Sequence, residues 1–205
     1  SHILTRDQIN RIMQEALLVP GLSPISPLTY HNLFGLLAST GLRISEALSL
    51  QRGDLTEDGL MIRKGKFGKT RLVPIHASTR APLDRYLEAR NSLRKVGDAL
   101  FVLGHGRPPT ATRVHVVFVR IVRKLGYRNP TGPGPRVHDL RHTFAVRSLE
   151  ACGNNPQAVL RHMKALSTYL GHVDIANTYW YLEATPVLLR MIASTAEETW
   201  IGGAT

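Results

Sequence analysis

Apolar side chains recur at helical spacing through the first fifty residues. Ile9, Ile12, Met13 and Leu17 fall on one stripe, the pattern of an amphipathic helix with one face inward. Thr5 and Gln8 form a T-x-x-Q capping box at its head, so a helix is predicted over Gln8–Leu18. Pro20 and Gly21 stop it, and Gly21–Pro27 reads as a Pro/Ser loop. A second helix is predicted over Leu28–Ser39, with Leu33, Leu36 and Leu37 inward and Gly41 as its stop. Arg43–Leu50 reads as a short helical turn burying Ile44, Ala47 and Leu48.

The period then shortens. Leu55, Leu60–Arg63 and Thr70–Ile75 have strand character, with turn material at Glu57-Asp58-Gly59 and Lys66-Phe67-Gly68. This predicts a small antiparallel sheet with a basic hairpin carrying Arg63, Lys64, Lys66, Lys69 and Arg71. Helical periodicity resumes at Ser78–Lys95, Thr110–Leu125, Arg136–Ala151, Pro156–Tyr169 and Pro186–Thr199, and Gly126–Pro135 is a Pro/Gly loop. No repeat, low-complexity tract or linker divides the chain. The expected architecture is mainly α, in the α+β sense: one helical domain over 3–205 with one small antiparallel sheet. Ser1-His2 reads as a cloning scar and is left out.

Composition narrows the class. The chain has 205 residues, 43% of them apolar, enough for a core and against wholesale disorder. No apolar run approaches the roughly 20 residues of a membrane span, and no charged-then-apolar leader points to secretion. A single cysteine, Cys152, excludes an internal disulfide and a cysteine-based zinc site, and fits a reducing compartment. Lys and Arg number 26 against 15 acidic residues, a net charge of +11. Such a field favours polyanions; the plain alternative is a basic protein with an ordinary solvated surface.

The densest chemistry lies in His138-Asp-Leu-Arg-His142, with Leu170-Gly-His172 and Tyr179-Trp-Tyr181 downstream. His138 and His142 are four apart on a predicted helix, so metal binding must be weighed. The zincin pattern needs a glutamate where Asp139 stands and a third ligand, and the Arg141 cation disfavours a dication. His142 by itself reads better as a packed or hydrogen-bonded core residue. Arg43 and Glu46 are either an exposed i,i+3 pair of small energetic weight or a guanidinium held by a carboxylate for use on a phosphate. The hairpin lysines are a solvated basic turn or a finger carrying Lys66 toward a phosphate. Tyr169, Tyr179, Trp180 and Tyr181, each taken alone, read as core or edge aromatics. There is no Walker A sequence, no G-x-S-x-G and no acidic cluster for magnesium, so two-metal phosphoryl transfer is poorly supported. A phosphate enzyme without a metal draws its charge from Arg, His and Lys, and these are present.

Taken together the residues resemble the tyrosine recombinase (phage integrase) family, from Leu4 to about Trp200. The resemblance rests on Thr40-Gly-Leu-Arg43-Ile-Ser-Glu46, on Gly65-Lys66-Phe67-Gly68-Lys69-Thr-Arg71-Leu-Val-Pro74, on His138-Asp-Leu-Arg141-His142, on His172 after Leu-Gly, and on Tyr181 nine residues later. Each motif alone is weak; five in this order are specific. The interval from Arg141 to His172 is longer than in many members, with Asn154–Leu166 carrying the excess. The chain also starts where a catalytic domain should start, so the amino-terminal DNA-clamping domain usual in the family is expected to be absent.

The resemblance implies an integrase-like fold and a site-specific DNA recombinase or integrase that cleaves and rejoins strands without a metal or other cofactor, through a 3′-phosphotyrosine. Catalysis would fall to Arg43, Lys66, His138, Arg141, His172 and the nucleophile Tyr181, with Glu46 orienting Arg43. Residue chemistry alone does not choose between Tyr179 and Tyr181; the family spacing favours Tyr181. Lys64, Lys69, Arg71, Arg107 and Arg113 are the candidate DNA contacts. The implied partner is double-stranded DNA, on which members act as homo-tetramers by passing a carboxy-terminal helix to a neighbour; a monomer is allowed without DNA. Pro186–Thr199, with Val187, Leu188, Met191 and Ile192, is the candidate for that helix, against simple packing on its own domain. The expected location is cytoplasmic and nucleoid-associated, in a prokaryote or phage, with no membrane contact. Rival readings are a type IB topoisomerase-like enzyme, a DNA-binding module without catalysis, and a metal hydrolase.

Overall fold

The structure, a computed structural model, describes residues 2–21, 23–63, 70–153 and 155–171. Lys64, Lys66, Lys69, His172, Tyr179, Trp180, Tyr181 and the Pro186–Thr199 segment lie outside the described residues. In chain order come α1 (Arg6–Ala16), α2 (Ile25–Thr40), α3 (Ile44–Leu48), a tight turn at Arg52–Asp54, strands β1 (Leu55–Thr56), β2 (Gly59–Ile62) and β3 (Arg71–Val73), then α4 (Ala77–Asn91), α5 (Ala111–Lys124), α6 (His138–Glu150) and α7 (Pro156–Tyr169). This is the expected mainly helical architecture with one three-stranded antiparallel sheet, ordered β1-β2-β3.

The capping box of α1 forms as read. The Gln8 N–H donates to Thr5 Oγ1 at 3.1 Å, and the Thr5 N–H donates to Gln8 Oε1 at 2.9 Å. The apolar stripe differs at its end: Ile9, Ile12 and Ala16 are buried, whereas Leu17 is the C-cap and 39% exposed. The helix stops at Ala16, two residues before the predicted end at Leu18, and Val19 fills the inward position instead. Helix α2 begins at Ile25, before Pro27. A proline in the first turn lacks only an N–H that has no helical partner there, which is why a start at Leu28 was too late.

Helix α2 is apolar on nearly every face. Tyr30, Leu33, Phe34, Leu36 and Leu37 are all buried, as expected for a helix at the centre of a domain. It packs against α1, α4 and α6, and Phe34 meets Phe118 of α5 edge to face at 5.3 Å. The sheet closes the same core through Leu60, Ile62 and Val73. A smaller cluster between α6 and α7 joins Ala145, Val146, Leu149, Val159, Met163, Leu166 and Leu170. Helix α4 ends at Asn91 rather than Lys95, because the fully buried Arg90 turns the chain. Its guanidinium donates to the carbonyls of Gly97, Ala99 and Leu100. In α3 only Ala47 is fully buried; Ile44 and Leu48 pack from the edge of the core. Among the described residues no helix is long and apolar enough to cross a membrane.

Candidate active site

Four segments converge at the carboxyl end of α2. The helix terminates at Gly41, whose φ of 65° is left-handed and is reached by glycine without steric cost. The chain then extends, so that Arg43 caps α3 and Glu46 sits three residues into the turn. Glu46 reaches back and accepts the Arg43 N–H at 3.0 Å on Oε2 and Arg43 Nη1 at 3.2 Å on Oε1. From β3, Arg71 donates both terminal nitrogens to the same carboxylate: Nη1 to Oε1 at 3.1 Å and Nη2 to Oε2 at 3.0 Å. One carboxylate, 7% exposed, therefore bridges two guanidinia that are 25% and 17% exposed.

A third guanidinium enters from α6. Arg141 is buried, donating Nη1 to the Gly41 carbonyl at 2.6 Å and Nη2 to the Leu170 carbonyl at 2.9 Å. The next carbonyl, that of Gly171, accepts Arg43 Nη2 at 3.3 Å. The carboxyl end of α7 thus offers successive carbonyls to two arginines, at the end of a helix whose dipole favours cations. Two guanidinia share one carboxylate and a third donates to carbonyls, leaving an excess positive charge suited to a phosphate.

His138 opens α6 beside Arg141, and both line a cavity of about 230 Å³ with Leu37, Leu42, Ile44, His115 and Val137. Burial lowers the His138 pKa, and the Arg141 charge lowers it further, so the ring is neutral at neutral pH. His142 meets His138 edge to face at 4.3 Å. Burial, followed by the charge of His138, lowers its pKa to about 4. Burial also pushes the Glu46 carboxyl up, but the Arg71 hydrogen bond, the Arg43 N–H and the two guanidinium charges outweigh it, so its pKa is lowered. Asp139 is buried and accepts the Arg136 N–H at 2.9 Å, tying down the start of α6. Tyr169 stacks on Phe144 at 5.7 Å, and burial pushes its phenol up to about 12 against the pull of Arg71 and Arg141. A phenol held so firmly protonated is a poor nucleophile.

The structure brings together Arg43, Glu46, His138 and Arg141 of the sequence-level site, and adds Arg71, which stood there only among the candidate DNA contacts. Reading by residue type missed the Arg71 fork on Glu46, the carbonyls of Gly41, Leu170 and Gly171, and His115 at the cavity. Lys66, His172 and Tyr181 lie outside the described residues, as do Lys64 and Lys69. Arg107 and Arg113 border a separate cleft of about 640 Å³ between the α2 amino end and the loop before α5, alongside Ser23, Tyr30, Leu103 and Gly104. No group of three or more His, Cys, Asp or Glu suited to a metal occurs among the described residues.

Comparison with known proteins gives one answer. A profile of the Phage integrase family matches residues 2–186. A protein of Sinorhizobium fredii, y4rB, which is named as an integrase or recombinase, is 38% identical over 208 residues, covering 97% of this chain and 66% of its own. Tyrosine recombinase XerD of Oceanobacillus iheyensis is 31% identical over 195 residues, covering 92% and 59%. Among solved structures, the XerA recombinase superimposes with a TM-score of 0.70 at 24% identity, over 96% of this chain and 65% of that one. The XerH site-specific recombinase bound to its difH substrate, a pre-cleavage complex, gives 0.65 at 26% identity, over 87% and 49%. The chain spans roughly three fifths to two thirds of the length of the two curated relatives.

Proposed function

The chain belongs to the phage integrase family, and on that premise we propose that it is the catalytic domain of a site-specific DNA recombinase. It breaks and rejoins strands of double-stranded DNA without a metal, through a 3′-phosphotyrosine. The observation that carries this reading is the convergence of Arg43, Arg71 and Arg141 on one carboxylate and three carbonyls. Such a site supplies fixed positive charge where a phosphoryl transition state develops negative charge.

In the proposed reaction, Tyr181 Oη attacks the scissile phosphorus and the P–O5′ bond breaks. The phenolic proton passes to neutral His138, and Lys66 gives a proton to the departing 5′-oxygen. Arg43 and Arg141 clamp the non-bridging oxygens, with His138 and His172 adding hydrogen bonds; His172 is the next residue after Gly171, whose carbonyl holds Arg43. Glu46 orients Arg43. The covalent bond conserves the phosphodiester energy, so attack by a 5′-hydroxyl from a second duplex reseals the strand without ATP. Lys64, Lys69, Arg107 and Arg113 are the proposed contacts to the duplex, whereas Arg71, with both terminal nitrogens donated to Glu46, is set apart from them; a tetramer on DNA is the proposed assembly, with Pro186–Thr199 passed between subunits. A cytoplasmic, nucleoid-associated location follows from that substrate.

The deciding experiment is covalent trapping on nicked duplexes from a random-sequence pool, with EDTA present throughout. Wild-type chain should form an SDS-resistant adduct; Tyr181→Phe should abolish it while DNA binding persists. Trapping that survives in Tyr181→Phe and is lost in Tyr179→Phe would move the nucleophile. An adduct that disappears in EDTA would remove the metal-free mechanism.

A further inference from the structure

Arg71 occupies an unusual place for a hairpin arginine. In β3 it pairs with Ile62 across the ladder. Its side chain is 17% exposed, whereas the next residue, Leu72, is 44% exposed. The strand thus turns its cation inward and its leucine outward, against the usual cost of burying charge. The arrangement persists because the guanidinium fork matches the Glu46 carboxylate oxygen for oxygen, at 3.1 and 3.0 Å, the strong bidentate form of such a pair.

The same two oxygens hold Arg43, one through its backbone N–H and the other through Nη1. Without Arg71 each oxygen would lose one of these two donors, and the carboxylate could swing about its own side-chain bonds. Arg43 would then keep only the Gly171 carbonyl as a fixed partner outside its own turn. Gly171 is itself packed on both arginines: a Cβ there would stand 3.3 Å from Arg71 Nη1 and 3.6 Å from Arg43 Nη1. The left-handed φ of 67° at Gly171 and the absence of a side chain let the two guanidinia lie this close to the carboxyl end of α7.

We propose that Arg71 is a positioning residue for strand cleavage, acting through Glu46 to hold Arg43 at the scissile phosphate and so coupling the sheet to the catalytic cluster. The inference rests on the reading of this cluster as a phosphoryl-transfer site. It differs from a direct phosphate contact, in which Arg71 would contribute to DNA affinity. It also differs from a purely structural ion pair, in which loss of Arg71 would cost stability and nothing else.

The test uses the whole chain and the nicked duplexes that wild type traps from the random pool. Arg71→Ala and Arg71→Lys are compared with wild type at saturating DNA, with folding checked by thermal unfolding. Lysine keeps the charge but cannot engage both carboxylate oxygens in one plane, and it remains informative should the alanine variant fail to fold. The trapping rate should fall about 10- to 100-fold in Arg71→Ala, the scale of a catalytic group displaced by about an ångström, and less in Arg71→Lys. DNA affinity and its salt slope should stay unchanged. The acidic limb of the rate should move to higher pH, because Glu46 loses the hydrogen bond that most lowers its pKa. Glu46→Ala combined with either substitution should be no slower than Glu46→Ala alone. Wild-type trapping rates in both variants, a salt slope reduced by about one, or additive losses in the double variant would each overturn the proposal. If wild type itself forms no adduct, the phosphoryl-transfer reading fails and takes the proposal with it. Normal wild-type trapping with indifferent Arg71 variants removes the proposal alone.

Discussion

Glu46→Gln is the sharpest probe of how the arginine cluster is held. The substitution preserves volume and removes one charge. Glu46 accepts two donors on each oxygen: Arg43 Nη1 and Arg71 Nη1 on Oε1, the Arg43 N–H and Arg71 Nη2 on Oε2. Whichever way a glutamine amide is turned, its NH₂ replaces one of those oxygens and faces two donors. Two charge-assisted hydrogen bonds are therefore lost, each contributing about 1.5–3 kcal/mol. Both guanidinia keep some access to water, which relieves part of the penalty, so a net loss of about 2–3 kcal/mol is expected. For a domain of this size, each kcal/mol moves the melting temperature by about 2–4 °C, which places Glu46→Gln roughly 4–12 °C below wild type at pH 7.

The pH dependence supplies an independent check. The folded-state pKa of Glu46 lies below its ordinary value of 4.5. Its contribution is therefore fully present above about pH 4.5 and is lost as pH falls through the lower folded-state pKa. Glutamine does not titrate, so the gap between variant and wild type should be widest near neutrality. It should close below about pH 4.5, at up to about 1.4 kcal/mol per pH unit. Circular-dichroism melts of both proteins from pH 3 to pH 8 measure this directly. A variant within 1–2 °C of wild type at pH 7, on the scale of about 0.5 kcal/mol, would refute the bridging role. A gap that stays constant down to pH 3 would refute its ionic basis.

Two further outcomes bear on the same region. Gly41→Ala should destabilise by more than about 2 kcal/mol in urea unfolding, since a left-handed alanine costs about 1–2 kcal/mol and its Cβ would stand 2.4 Å from Phe144 Cδ1; an unchanged midpoint would show that the α2 terminus relaxes freely. The His142 ring, with its pKa lowered from 6.5 to about 4 by burial and then by His138, stays neutral in the folded chain while the unfolded chain takes up a proton. Its share of stability is thus complete above pH 6.5 and declines as pH falls toward 4, so His142→Gln should flatten the stability profile in that window. A His142 NMR signal titrating near 6.5 would contradict it.

Legibility in the sequence followed residue identity. The α1 capping box, the Gly41 stop and the Pro156 start of α7 each rest on a side chain with one strong local preference, and each lies where the pattern put it. Arg43, Glu46, His138 and Arg141 could be singled out because, in their order along the chain, they fall on the motifs that carry the family resemblance. The carbonyls that hold the arginines could not: any residue supplies a carbonyl, and only the tertiary approach of α7 selects those of Leu170 and Gly171. Arg71 lay between these cases. It was one cation among several in a basic hairpin, and its direction is set by register with β2 rather than by composition. The one available signal was the inverted alternation of β3, with leucine outward between two inward residues, Arg71 and Val73.

The arrangement of partners also explains how so much like charge is tolerated. Close guanidinia repel, and a single carboxylate neutralises only one of them. The remaining repulsion is offset by neutral acceptors: the Gly41 carbonyl at the end of α2 and the Leu170 and Gly171 carbonyls at the end of α7. Carbonyl dipoles fix a cation without cancelling its charge, whereas a second carboxylate would cancel it. The cluster is thereby rigid and still positive, which is the combination an anionic transition state requires. A site held by carboxylates alone would be as rigid but neutral, and one held by solvent would be positive but mobile. The use of helix ends as acceptors makes the integrity of α2 and α7 a condition of the electrostatics, so that packing distant from the arginines, such as Phe144 against Gly41, bears on the charge presented to a phosphate.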